Sequence, residues 1–348
     1  MDSALPTTAF FSEGFPAALN DLKALPEPIE SDLILGLYAL LRASGMAITY
    51  PEADVISGHA PQFIYSLEHP ECVNIAFVPP VETLFRALDV TWKEVTPSGS
   101  AAAYAVLQDW ISAGKVSLAR LKEPLLVYGY RHSGPNHSIV AARLSARLEQ
   151  QTISLLECDA KYWRYPLDDG NVLIAVDSAP RHAGTPMELI RTAARRALRI
   201  WHTPQLAGCA CGDQAYRHFI ADLSDNDVDF CDEKHSPWMG AALWRQWTAR
   251  ASSNLFFDRA APRFGSHERA AVTKAAFCYG QCTDAWMHWA EHLGPTWHRG
   301  RHGFVDPLPP DFIARWRNRE ARMKAAHWLE EARGWEEKAV AELTRIVH

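Results

Sequence analysis

Three places in the chain carry residue types that do acyl-transfer chemistry when they are brought together. Ser31 and Asp32 open a long apolar stretch, His137 opens a strand-like run after Gly134-Pro135-Asn136, and Asp159 closes the next run, after Cys158. A nucleophile at a helix N-terminus gains from unpaired N–H groups and from the positive end of the dipole. A histidine on one strand acts as a base when a carboxylate on the adjacent strand holds its other ring nitrogen. If the two runs pair as a hairpin that turns near Glu149 to Gln151, His137 and Asp159 meet at its open end. Each also has an ordinary reading: Ser31 as a helix cap, His137 and Asp159 as turn residues.

These residues need a helix and a sheet to position them. Ser31 to Ser44 carries Leu33, Leu37, Leu40 and Leu41 at helical spacing, with Ile34 beside them. Ser31 or Asp32 suits the N-cap and Gly45 the stop. The helix is apolar nearly all round, which predicts burial. Helices are also expected at Val81–Leu88 and Ala101–Ala113. Leu125–Tyr130, Ser138–Arg143 and Thr152–Cys158 read as strands of one antiparallel sheet packed on the buried helix, hence α+β. Composition changes near Ala179 to Pro186. Beyond it, helices are expected at Met187–Trp201, Gln214–Leu223, Met239–Asp258, Ser266–Leu293 and Asp311–Ile346, the last interrupted at Gly334. Asp213 is the expected cap of the second. Two domains follow, residues 1–179 and an all-α part, residues 180–348.

Composition narrows the class. In 348 residues, 48% are hydrophobic and 22% charged, which is globular. A net charge of −6 lacks the basic excess of a nucleic-acid-binding surface. No stretch has the roughly 18 uncharged apolar residues of a membrane span. Met1 to Phe11 contains no Lys or Arg and no long apolar run, so a signal peptide is not expected and the cytoplasm is the expected compartment. The seven cysteines are an odd number, which suits free thiols.

The chain resembles the family of butirosin biosynthesis protein H. The resemblance rests on Glu30-Ser31-Asp32 leading into Leu40-Leu41-Arg42 and Gly45, and on Pro51 through His59 with Phe63-Ile64-Tyr65. It also rests on His137-Ser138-Ile139-Val140 and on Asp159. It continues through Gly212-Asp213-Gln214-Ala215-Tyr216 to Ala221-Asp222-Leu223, then Gly240 to Leu243 and Asn254-Leu255-Phe256. It implies a papain-like (cysteine-protease-like) front domain, a helical back domain and no cofactor or metal. It also implies transfer of an acyl group from an acyl-carrier-protein thioester to a small amine, in secondary-metabolite or siderophore biosynthesis. His137 matches the family's base and Asp159 its third member. The nucleophilic cysteine falls on Asp32, or on Ser31 with a one-residue slip, and the chain has no cysteine before Cys72.

An acyl-thioester on this helix is therefore excluded. Direct aminolysis remains, with His137 taking the amine proton, Asp159 holding its tautomer and Asp32 binding or deprotonating the ammonium. Ser31 as nucleophile is a second route. A catalytically silent relative that binds a carrier protein or an enzyme is the alternative. Oligomeric state is not written in the sequence. Two further groups are weighed. Cys209, Cys211, Cys278 and Cys282 have thiols for zinc, although Cys-x-Cys is not the usual knuckle spacing. His288, His292, His298 and His302 crowd one region without a His-Glu-x-x-His pattern.

Overall fold

The structure, a computed structural model, describes residues 8–11, 32–69, 72, 76–120, 124–133, 136–143, 154–159, 172–180, 186–230, 236–293 and 310–347. By its internal contacts the chain divides into two compact units. One is Met1–Ala53 with Leu84–Gly184, and the other is Asp54–Thr83 with Thr185–His348.

The first unit is built on α1 (Asp32–Ala43), which is buried along its length as its apolar surface requires. Gly45 ends it at φ +84°, with the Gly45 amide donating to Arg42 O and the Met46 amide to Leu41 O. That pair of bonds is a Schellman stop, and a left-handed glycine makes it without strain. The unit's sheet contains β1 (Thr8–Phe11), β3 (Thr91–Val95), β4 (Ser117–Arg120), β5 (Leu125–Ser133), β6 (Asn136–Arg143), β7 (Ser154–Asp159) and β8 (Val172–Ser178). Its order is β3-β8-β4-β5-β6-β7, all antiparallel, and β1 adds to β5 beside β4.

Both faces of this sheet are covered. Leu118 of β4 meets α1, where a β-carbon on Gly36 would lie 2.7 Å from Leu118 Cδ1. The next residue, Ala119, points to the opposite face. There it joins Tyr104, Leu107 and Trp110 of α4 (Ser100–Ser112) in one apolar cluster with Val127, Ile139 and Leu173. Strands covered on both faces read as continuous apolar runs, which is how Leu125–Tyr130 and Leu173–Val176 look. The remaining short helices are α2 (Tyr50–Ile56) and α3 (Pro80–Ala87).

The second unit is helical: α5 (Met187–His202), α6 (Asp213–Ser224), α7 (Ser236–Ala260), α8 (Ser266–Leu293), α9 (Pro310–Arg317) and α10 (Arg319–Leu343). α8 packs against both α7 and α10. A small antiparallel sheet of β2 (Ile64–Tyr65), β10 (Cys209–Cys211) and β9 (Gln205–Leu206) ties the 54–83 segment in. The core is aromatic. Trp286, Trp289, Trp316, Tyr216 and Phe219 share one cluster with Phe63, which lies edge-on to Tyr216 at 4.8 Å and to Trp286 at 5.5 Å. At about 25 cal/mol per Å2, burying roughly 200 Å2 of indole contributes about 5 kcal/mol before ordering costs.

Two expected boundaries are corrected. The last long helical segment breaks at Asn318, whose side chain accepts from the Ala321 amide, and α10 runs through Gly334 without interruption. Gly334 keeps its place because a single helical glycine costs only about 1 kcal/mol. The residue capping α6 is Gly212, at φ +57°, where a β-carbon would strike Ile200 O at 2.4 Å. Asp213 is the first helical residue, and its carboxylate accepts from Arg217 and Arg333. No helix among the described residues is long and apolar enough to cross a membrane.

Candidate functional site

Asp32 is the first residue of α1, and α1 packs on β4, β5 and β8. Ser31 lies outside the described residues. His137 is the second residue of β6 and Asp159 the last of β7. These strands pair antiparallel from Ser138↔Asp159 at one end to Arg143↔Ser154 at the other. The backbones of His137 and Asp159 thus lie at the same end of the pair, one register position apart. On its other side, His137 pairs with His132 of β5. The side chains of Asp32, His137 and Asp159, and the turn residues Glu149 to Gln151, fall outside what is described.

The sequence reading missed an imidazole–carboxylate pair at the end of α2. His59 Nδ1 lies 2.7 Å from Asp54 Oδ1, with the Asp54 side chain 3% exposed and that of His59 14%. The backbone sets this pair up. Ser57 Oγ donates to Asp54 O, and the His59 and Ala60 amides donate to the same carbonyl. Gly58 turns the chain at φ +82°. A carboxylate accepting from Nδ1–H fixes the tautomer and the orientation of the imidazole. The i, i+5 spacing has no helical or strand period, so nothing local in the sequence marks it.

A second missed group is a buried polar network. Arg250 of α7 forks onto Glu336 of α10, Nε donating to Oε2 at 3.0 Å and Nη2 to Oε1 at 2.9 Å. Tyr216 Oη donates to Glu336 Oε2 at 2.6 Å and accepts from Trp286 Nε1 at 2.9 Å. Arg250 Nη1 donates to Gln246 Oε1 and reaches Gln62 O at 3.4 Å. Burial alone would lower the Arg250 pKa, but Glu336 raises it. Burial and Glu336 push the Tyr216 phenol well above its usual value, although Arg250 pulls the other way. Arg250 and Glu336 are sealed, at 1% and 3% exposed, and the network joins α6, α7, α8 and α10.

Cys209 and Cys211 sit with Cys72, Ile64 and Ile200 in a small apolar cluster, whereas Cys282 belongs to the aromatic core near Tyr216. Burial raises the Cys211 thiol to about 11. His292 Nε2 donates to Ala321 O, and burial lowers its pKa. His288 lies against Trp328, and His298 and His302 fall outside the described residues.

No protein-family model matches the chain, and no curated protein matches it.

Proposed function

We propose that the chain transfers an acyl group from a carrier-protein thioester to a small amine by direct aminolysis, in a papain-like front unit. The observation that carries this reading is the pairing of β6 with β7 at the end where His137 and Asp159 stand. The buried helix opened by Asp32 supports it, because α1 lies on the same sheet.

The chemistry needs little from the protein. A thioester is already activated, so the amine attacks the carbonyl carbon, a C–N bond forms and the C–S bond breaks. His137 takes the proton that the amine loses and returns it to the leaving thiolate. Asp159 holds the imidazole tautomer, and Asp32 binds the ammonium form and takes its first proton, which passes on to solvent and frees the lone pair for attack. General-base catalysis supplies about 10²–10⁴-fold, and positioning adds more.

A second reading of the base is favoured by one contact: the Asp54–His59 hydrogen bond at 2.7 Å. In that reading the chemistry lies in the second unit and not in the front one, and His59 takes the amine proton. Purified protein, an acylated carrier protein and a panel of diamines and amino sugars test the reaction, with amide read by mass spectrometry. Amide that is lost in His137→Ala and kept in His59→Ala supports the first base, and the reverse supports the second. No amide with any amine, together with retained carrier binding, overturns catalysis in favour of a silent binding partner.

A further inference from the structure

We propose that Arg196 and Arg199 form a binding site for a phosphate group on the face of α5 that lies over the Ile56–Gly58 turn and the Phe77–Val78 segment. Four arginines stand on α5, and carboxylates neutralise two of them. Arg191 meets Glu268 at 2.9 Å, and Arg195 meets Glu188. Arg196 and Arg199 have no carboxylate partner among the described residues.

Arg196 is half-buried. Its Nη1 donates to Ile56 O, the last carbonyl of α2, and no other acceptor among the described residues meets it. A cap of that kind uses one of five guanidinium N–H groups. Burial lowers its pKa. The approach is close: a β-carbon on Gly58 would lie 2.7 Å from Arg196 Cδ and 2.8 Å from Val78 Cγ2. Gly58 is left-handed here and therefore tolerates both the turn and the contact.

Arg199 is one helical turn further along the same face. Its guanidinium carbon stands 5.6 Å from the centroid of Phe77, and the residue is otherwise exposed. Phe77 is in turn fixed by its amide, which donates to Gln62 Oε1 at 2.6 Å. Stacking on a ring holds a guanidinium plane without consuming its N–H donors. Two guanidiniums at i, i+3, one capped by a carbonyl and one stacked, present donors suited to a tetrahedral oxyanion. A phosphate carries enough charge to match both, which a single carboxylate does not.

This site stands apart from the acyl-transfer reading, so either can fail alone. The probe is inorganic phosphate, titrated at constant ionic strength by calorimetry. Saturable binding with a Kd of about 1 mM or tighter is expected. Arg199→Gln should weaken it by about tenfold or more, since a charge-assisted bond is lost. Arg196→Gln with Arg199→Gln should abolish it, and Arg195→Gln should leave it unchanged. Where Arg196→Gln fails to fold by circular dichroism, Arg199→Gln carries the test. A second titration compares 4′-phosphopantetheine with pantetheine. Binding of 4′-phosphopantetheine much tighter than both pantetheine and inorganic phosphate assigns the site to a carrier-type arm, binding equal to that of inorganic phosphate assigns it to small phosphorylated metabolites, and binding no tighter than that of pantetheine overturns the proposal. No saturable binding, or equal weakening by Arg195→Gln and Arg199→Gln, overturns the proposal.

Discussion

Glu336 is the residue on which the helical unit most depends. Its carboxylate takes both arms of the Arg250 fork and the Tyr216 hydroxyl. Removing it leaves a buried guanidinium without its counter-charge. Glu336→Ala should therefore lose about 3–5 kcal/mol in urea unfolding. Replacing the pair together, as Arg250→Met with Glu336→Leu, should restore much of that loss, because the isolated charge and not the missing bond is the main cost. Asp213 makes a pH prediction. Burial works to raise its pKa, but hydrogen bonds from Arg217 and Arg333 hold it below 3.8. A depressed carboxylate stabilises the fold above its unfolded pKa, and that contribution is lost as the pH falls through the folded value. Asp213→Asn should accordingly cost about 1 kcal/mol at neutral pH, and the gap from wild type should close as the pH falls below 3.8.

Among the elements, close packing and caps decide the boundaries. Gly36 lets α1 approach Leu118, so Gly36→Val should destabilise the first unit by about 1–3 kcal/mol, and Leu118→Ala in the same chain should relieve part of it. Asn318→Ala should cost about 1 kcal/mol by removing the cap of α10. Thermal melts of the single and double variants check both. The elements that were legible in the sequence have long, regular patterns. The helix expected over Ser266–Leu293 matches α8 to the residue, and α1, α4 and α5 differ from expectation only at their ends. β4, with four residues, is too short for a visible alternation, and β2 and β9 have two each. β8 is an apolar run that pairs with β3 and β4, far away in the chain, so no neighbouring turn announced it. The polar groups were less legible. Arg250 and Glu336 are 86 residues apart, and nothing local to either marks the other. The β6–β7 pairing was legible because the two runs are close in sequence.

At the scale of the whole molecule, the segment 54–83 belongs with the helical unit although it lies inside the front half of the chain. Phe63 and Tyr65 explain this, since their rings sit in the core of α6 and α8. The chain therefore crosses between units more than once, and a cut near residue 180 would leave residues 54–83 without the core they fill. The proposed acyl transfer rests on the front unit's sheet and its buried helix, and the sequence has no thiol before Cys72 to hold an acyl group. The account stands or falls on the rate of amide formation from an acyl-carrier thioester and an accepted amine, measured side by side for wild type and His137→Ala. It predicts a drop of about 10²-fold or more with carrier binding intact. Equal rates in the two proteins would contradict it.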